Sequence, residues 1–191
     1  MTPTGRREAP PIYTMTGDDG TTGLLFGGRV SKADPVVEVC GTLDEAVAAF
    51  GLARAALVDD DLRAVVLELQ RGLFAAGAEI AANPRARDRL VAGISSVNRE
   101  MTAALERHID RLLAEHPLRP AFVVPGATPS SAALDLARTV LRRAERRLVA
   151  GRRSGLTASE ALIAYVNRAS DLAYVLARRA ADGHDEPVSH E

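Results

Sequence analysis

The sequence has few aromatic residues, 4% in all, and no tryptophan. A core without large rings must be filled by Ala, Leu and Val, and such side chains suit close helix packing. Cys40 is the only cysteine, so neither an intrachain disulfide nor a Cys-cluster metal site is available. A reducing compartment is then the default. No apolar run reaches the length of a membrane span, and Met1 to Pro11 lack the apolar core of a secretory signal. The expected location is therefore cytoplasmic. Charge of one sign is also missing: the net charge is −1 and the pI about 6.4. That excludes an electrostatic footprint for nucleic acid or an acidic membrane. Lysine is nearly absent, since Lys32 is the only one and every other basic residue is Arg. The four histidines, His108, His116, His184 and His190, have no metal-pair spacing. No nucleophile elbow is present. Any chemistry here must rest on positioning and charge stabilisation.

What remains reads as one soluble domain: 191 residues, 47% hydrophobic and 26% charged. Residues 1–13 are expected to be a flexible tail. Thr14 to Lys32 contains five glycines, which forbid a stable helix and predict a long loop. Apolar residues then recur at helical spacing in five stretches. The first starts near Val36 and the second runs from about Asp60 to Ala82, where Asn83-Pro84 ends it. The third starts near Ser96 and stops before Pro117. The fourth starts at Thr128 or Ser130 as N-cap, and Gly151 is placed to end it. The fifth opens on Thr157-Ala158-Ser159-Glu160 as a capping box and runs to about Ala180. No strand is expected, and the tail 182–191 is expected to be loose. The economical architecture is all-α, a five-helix up-and-down bundle over residues 14–181.

Two of these helices carry polar stripes beside their apolar faces. On helix four, Asp135, Arg138, Arg142, Glu145 and Arg146 fall within a sector of roughly 100°; Arg143 and Arg147 point elsewhere. On helix five, Asn167, Asp171, Tyr174 and Arg178 share a narrow face. A single stripe of this kind is usually a solvated, salt-bridged face. Two on adjacent helices can form a polar cleft, and the guanidinium fork suits phosphate. The stretch Gly17-Asp18-Asp19-Gly20-Thr21-Thr22-Gly23 offers backbone donors that can curl around an anion. It is not a Walker A loop, because no GK[ST] follows.

These same residues resemble those of a known family. TGDDGTTGLLFGGRVSK is similar to the N-terminal ATP loop of PduO-type ATP:cob(I)alamin adenosyltransferases, and CGTLDEAVAAFGLAR to their first helix. FVVPGA followed by LARTVLRRAERRL resembles their corrin-facing segment and fourth helix, and YVNRASDLAYVLAR their last helix. The blocks stand in family order from Thr14 to Arg178.

The resemblance implies a homotrimer with active sites between subunits, and ATP bound with Mg²⁺ whose protein ligands are unknown. It implies that Thr14, Gly17, Asp18, Gly20, Thr21, Thr22 and Lys32 hold ATP, with Arg138, Glu145, Arg146 and Asn167 completing the pocket. It assigns Asp44 and Arg142 as a subunit-bridging pair. Phe122 takes the lower face of the corrin and Tyr174 a second corrin-side position. The implied reaction is attack of cob(I)alamin on the ribose C5′ of ATP, giving adenosylcobalamin and triphosphate. Arg146 and Lys32 would stabilise the leaving charge, and Phe122 would shield the cobalt face. A cob(II)alamin reductase and an adenosylcobalamin-dependent enzyme are the implied partners. The family's PGG reads Pro125-Gly126-Ala127 here, Ala169 replaces a leucine, and Ala173-Tyr174 replaces Leu-Phe. The corrin wall is thus smaller and more polar. Two rival readings use the same residues: an ATP-binding regulatory bundle without turnover, and a structural helical adaptor.

Overall fold

A computed structural model of the chain describes residues 12–188. The parts of the expected tails at 1–11 and 189–191, including His190, lie outside the described residues. Five α-helices dominate: α1 (Pro35–Ala56), α2 (Asp60–Ala81), α3 (Arg99–Glu115), α4 (Pro129–Arg153) and α5 (Glu160–Ala181). α1 packs on both α2 and α4, α4 on α5, and α5 on α3, while α2 and α3 barely touch. Neighbours along the chain are therefore not always neighbours in space. The short links between α1 and α2 and between α4 and α5 return the chain antiparallel.

The helix starts follow from local chemistry. Asp34, Asp59, Asn98, Thr128 and Ser159 each accept a backbone N–H of the first turn. α3 starts three residues later than its apolar pattern suggests, because Asn98 is the residue able to cap Met101 N, at 2.9 Å. At α4, Thr128 and Ser131 cap one another reciprocally. Ser159 alone caps α5, with Glu160 as first helical residue and no capping box recorded.

α4 also runs past Gly151 to Arg153. Gly151 answers a different constraint: a Cβ there would lie 2.9 Å from Leu156 Cδ2. The turn is made instead at Gly155, with φ +95°. Gly72 is a similar case, since a Cβ would lie 1.9 Å from the hydroxyl of Tyr165. That close approach lets a large ring, 2% exposed, fill a core otherwise made of Leu, Val and Ala around Phe50.

Four short strands were not expected. β1 (Thr21–Gly23) and β2 (Arg29–Ser31) pair antiparallel, so the glycine-rich stretch is largely a hairpin. β3 (Val123–Val124) pairs antiparallel with β4 (Glu186–Pro187). The described part of the C-terminal segment, expected to trail loosely, thus folds back over the α3–α4 connection.

Between α2 and α3, the polar stretch forms a 3-10 helix, Pro84–Arg89, and a turn. Both are organised by Glu79, whose residue is 1% exposed. Its carboxylate accepts from Arg87 Nη2 at 3.3 Å, Val97 N at 3.0 Å and Ser159 N at 3.1 Å. A buried carboxylate survives only when so satisfied. Glu79→Ala should lower unfolding free energy by roughly 3 kcal/mol, because it strands Arg87 and two amides. Glu79→Gln, which keeps the shape and one acceptor, should cost clearly less. Urea denaturation of the two variants checks this, and equal losses would contradict it.

Candidate active site

The expected site residues fall into two groups on different parts of the surface. The first is the hairpin and its approach. Asp19 Oδ1 accepts from the Thr21 hydroxyl at 2.8 Å and the Thr21 amide at 2.9 Å. These bonds, together with Arg29, hold its carboxyl below the usual carboxylate range. Arg29 Nε donates to Thr21 Oγ1 at 2.9 Å, and its Nη2 reaches the Thr16 carbonyl. Lys32 N donates to Gly20 O at 2.8 Å. A Cβ at Gly17 would stand 3.3 Å from Lys32 Nζ, so glycine lets the ammonium fold over the loop. The far end of the hairpin is docked: Leu25 N donates to Ala81 O at 2.8 Å and Asn83 Nδ2 to Gly27 O at 2.8 Å. Arg89 stacks on Phe26 at 4.4 Å. The approach, residues 14–20, has no such anchor on the helices among the contacts described.

Lys32 lines a cavity of about 180 Å³ with Glu38, Thr42, Glu45, Arg143 and Arg147. Arg147 pairs with Glu38 at 3.1 Å, and Arg143 pairs with Glu45. The two arginines set apart from the α4 stripe therefore face α1 and this chain's own loop.

The second group lies where the α4 and α5 stripes meet. Asn167 Nδ2 donates to Glu145 Oε1 at 3.0 Å. Asp135, 3% exposed, takes Arg178 and, at 3.5 Å, Arg138. Both guanidiniums lie over the Tyr174 ring, Arg178 at 5.3 Å and Arg138 at 5.7 Å from its centroid. Arg138, Arg142, Arg168, Asp171, Tyr174 and Phe122 line a cavity of about 590 Å³. Phe122 is 87% exposed, so it is not a core residue.

Arg146 and Arg142 are exposed, and Arg146 Nη1 donates only to the Arg142 carbonyl, at 3.2 Å. Asp44 is exposed on α1, and neither it nor Arg142 has an ion-pair partner among the described residues. Among the described residues and cavities, then, Arg146 does not join Lys32, and Asp44 makes no ion pair with Arg142.

Several participants were not foreseen. Asp19 and Arg29 shape the loop, Asn83 grips the hairpin rather than only ending α2, and Asp185 joins Arg178 at 3.5 Å. An Arg inside an expected long loop gives no sequence signal of its bonding. The tail carboxylate likewise has no helical register to place it.

Cys40 sits one turn before Asp44, and burial first, then the Asp44 charge, pushes its thiol up to about 11. The neutral thiol is favoured in the fold, so this contribution to stability is present below the unfolded thiol value and lost as pH rises through 11. Native protein at pH 8 should react with iodoacetamide far more slowly than a free thiol, and faster toward pH 11. Rapid labelling at pH 8 would show an accessible thiolate instead. Phe122→Ala should change unfolding free energy by less than about 1 kcal/mol, as for other exposed positions. A core loss of roughly 3–5 kcal/mol would contradict its exposure. Among the amides of the hairpin, those of Leu24, Leu25 and Gly27 should already be protected from hydrogen exchange without ligand, and MgATP should add protection mainly at 14–20. Equal protection of 14–20 with and without MgATP would count against the loop as a clamp.

Comparison with known proteins agrees over nearly the whole chain. A family model described as cobalamin adenosyltransferase matches residues 12–180. The corrinoid adenosyltransferase PduO of Salmonella typhimurium is 41% identical over 181 residues, covering 94% of this chain and 53% of that protein. The chain thus spans about half the length of that relative. A corrinoid adenosyltransferase of Citrobacter freundii is 40% identical over 167 residues, covering 87% of this chain and 93% of its own length. A variant PduO-type ATP:corrinoid adenosyltransferase from Lactobacillus reuteri, solved with cobalamin and ATP, superposes with a TM-score of 0.83 at 28% identity. It covers 94% of this chain and all of the other, 100%.

Proposed function

This chain belongs to the cobalamin adenosyltransferase family, and from that premise we propose that it transfers the 5′-deoxyadenosyl group of ATP to the cobalt of cob(I)alamin. The observation that carries the reading is Phe122, an apolar ring 87% exposed at the edge of a 590 Å³ cavity. Exposing such a ring costs hydration free energy unless a ligand covers it. The flat face of a corrin is a suitable cover.

The reaction needs no protein nucleophile, and none is offered. The cobalt of the Co(I) corrinoid supplies an electron pair to C5′ of the ribose. The Co–C bond forms as the C5′–O bond breaks, and triphosphate leaves with that bond's electrons. Lys32 and Arg146 stabilise the growing negative charge. Thr14, Gly17, Asp18, Gly20, Thr21 and Thr22 wrap the nucleotide with hydroxyls and amides. Phe122 covers the lower cobalt face, which keeps a base from donating there and eases reduction to Co(I). Mg²⁺ supplies charge neutralisation on the triphosphate. Among the described residues no group of three or more His, Cys, Asp or Glu is placed to cage a metal.

Lys32 and Arg146 meet in no cavity described within one chain, which supports a site completed by a neighbour. We assign Arg138, Glu145, Arg146 and Asn167 to the pocket that receives another subunit's loop, in a homotrimer of up-and-down five-helix bundles. Exposed apolar side chains support this: Leu52 on α1 is 60% exposed. Leu136 on α4 and Phe74 on α2 are likewise 54% and 62% exposed. Large apolar side chains left exposed on several helices suit cover by a neighbouring subunit. The unpaired charges of Asp44 and Arg142 then suit a bridge between subunits. No helix among the described residues is long and apolar enough to cross a membrane. We place the protein in the cytoplasm, receiving corrinoid from a cob(II)alamin reductase and passing product to an adenosylcobalamin-dependent enzyme.

An anaerobic assay should show the cob(I)alamin spectrum converting to adenosylcobalamin with one triphosphate released per turnover. ATP binding without conversion would leave only a nucleotide-binding bundle. Arg146→Ala should lower kcat/KM for ATP by roughly a hundredfold or more, the scale of a lost charge-stabilising donor. Arg147→Ala removes an exposed ion pair with Glu38, worth about 1 kcal/mol at most, and should retain most activity. Equal losses would place the phosphate-facing side of α4 elsewhere.

A further inference from the structure

Arg178 is the most deeply buried guanidinium for which an ion pair is recorded: its side chain is 7% exposed. It meets two carboxylates, both nearly buried. Asp135 comes from α4, with its side chain 4% exposed, and Asp185 comes from the segment after α5, 11% exposed, at 3.5 Å. Arg138 approaches Asp135 at 3.5 Å from the other side, so two cations face two anions. Such a neutral cluster tolerates burial where a lone charge would not.

The cluster links parts that the cavity needs fixed. Arg178 and Arg138 both lie over Tyr174. Asp185 immediately precedes β4, which pairs with β3, and Val188 N donates to Phe122 O at 2.9 Å. A ladder of two residues per strand is marginal by itself. The buried ion pair is the stronger tie available to hold this segment down.

We propose that Asp185 is a positioning residue: through Arg178 it latches the C-terminal strand over β3, and so sets Phe122 and the Tyr174 ring against the corrinoid. The proposal rests on the adenosyltransferase reading and adds to it a residue that touches neither substrate. When the latch is closed, the Phe122 backbone is tied and its ring is presented to the cavity. When it opens, Phe122 moves with an untethered connection and the lower cobalt face is no longer reliably covered.

The test uses full-length Asp185→Asn, Asp185→Glu and Val188→Pro, the last removing the N–H donated to Phe122. Without any ligand, Asp185→Asn should speed amide exchange in residues 121–124 by roughly tenfold or more, the loss expected when one partner of a buried ion pair is neutralised. With MgATP and cob(II)alamin, Asp185→Asn and Val188→Pro should each lower the four-coordinate cob(II)alamin signal several-fold. They should raise KM for cobalamin by about tenfold and leave KM for ATP within about twofold. Cobinamide, which has no nucleotide base to keep off the cobalt, should be affected much less. Asp185→Glu, retaining the charge, should recover part of the signal. Unchanged exchange at 121–124 in Asp185→Asn overturns the latch, whatever the activity. Faster exchange with a wild-type signal and KM in both variants overturns its role in positioning. A wild-type protein that makes no adenosylcobalamin defeats the adenosyltransferase reading, while the exchange result still decides the latch.

Discussion

Glu79 is the constraint on which the periphery of the bundle depends. It lies near the end of α2, where a helix would ordinarily release the chain to solvent. Instead its carboxylate draws in Arg87 from the 3-10 helix, the Val97 amide ahead of α3 and the Ser159 amide at the start of α5. Arg87 adds bonds to the carbonyls of Glu79 at 2.9 Å and Thr157 at 3.3 Å. Three chain segments with no hydrophobic stripe to dock them are thereby set in place. Burying one carboxylate is costly, and the cost is offset only if all these donors arrive together. That requirement couples the α2–α3 connection to the α4–α5 connection, although they are distant in sequence. The same end of α2 carries the hairpin, through Ala81 and Asn83. The glycine-rich loop is therefore mounted on a rigid support at its tip, and its freedom is concentrated at residues 14–20.

Much of this was legible beforehand where one period governs. The five helices announced themselves because Ala, Leu and Val recur at helical spacing, and Thr128 stood where a cap is expected. The facing polar stripes of α4 and α5 were legible for the same reason: Glu145 and Asn167 do meet, and Arg138 and Tyr174 do meet. Legibility failed where a residue answers to something non-local. Gly151 looked like a stop and is a contact with Leu156. Asn83 looked like a stop and is also a grip on Gly27. Arg29 and Asp185 show no pattern at all, because each bonds across a turn that no periodicity describes. The order of helices in space was equally hidden, since amphipathic stripes state that a face is buried and not by which partner.

Arg143 and Arg147 carry a further lesson about the site. From the helical wheel they belong to the far side of α4, and they do; that side faces α1 and the chain's own Lys32. A single subunit thus has a cationic end near its loop and a separate cationic stripe near Phe122, with α4 between them. A triphosphate has enough charge to want both kinds of site, but one chain cannot turn α4 to present both. Assembly resolves the conflict if the loop of one subunit meets the stripe of the next.

The proposed corrin side poses the opposite problem. A phosphate site gains from several mobile cations, because electrostatic attraction tolerates small displacements. Shielding a metal face with a ring does not, because a ring displaced by an ångström or two admits a base or water. Phe122 nevertheless stands on a connection with prolines and glycine, 87% exposed, with little packing of its own. Its position has to be inherited from neighbours, and the only backbone tie described for it comes from Val188. The charges of Asp135, Arg178 and Asp185 are nearly buried, and Asp185 lies three residues before Val188. Burying two carboxylates and a guanidinium there gains little stability over apolar packing. It does impose a geometry that apolar packing, which tolerates sliding, would leave loose.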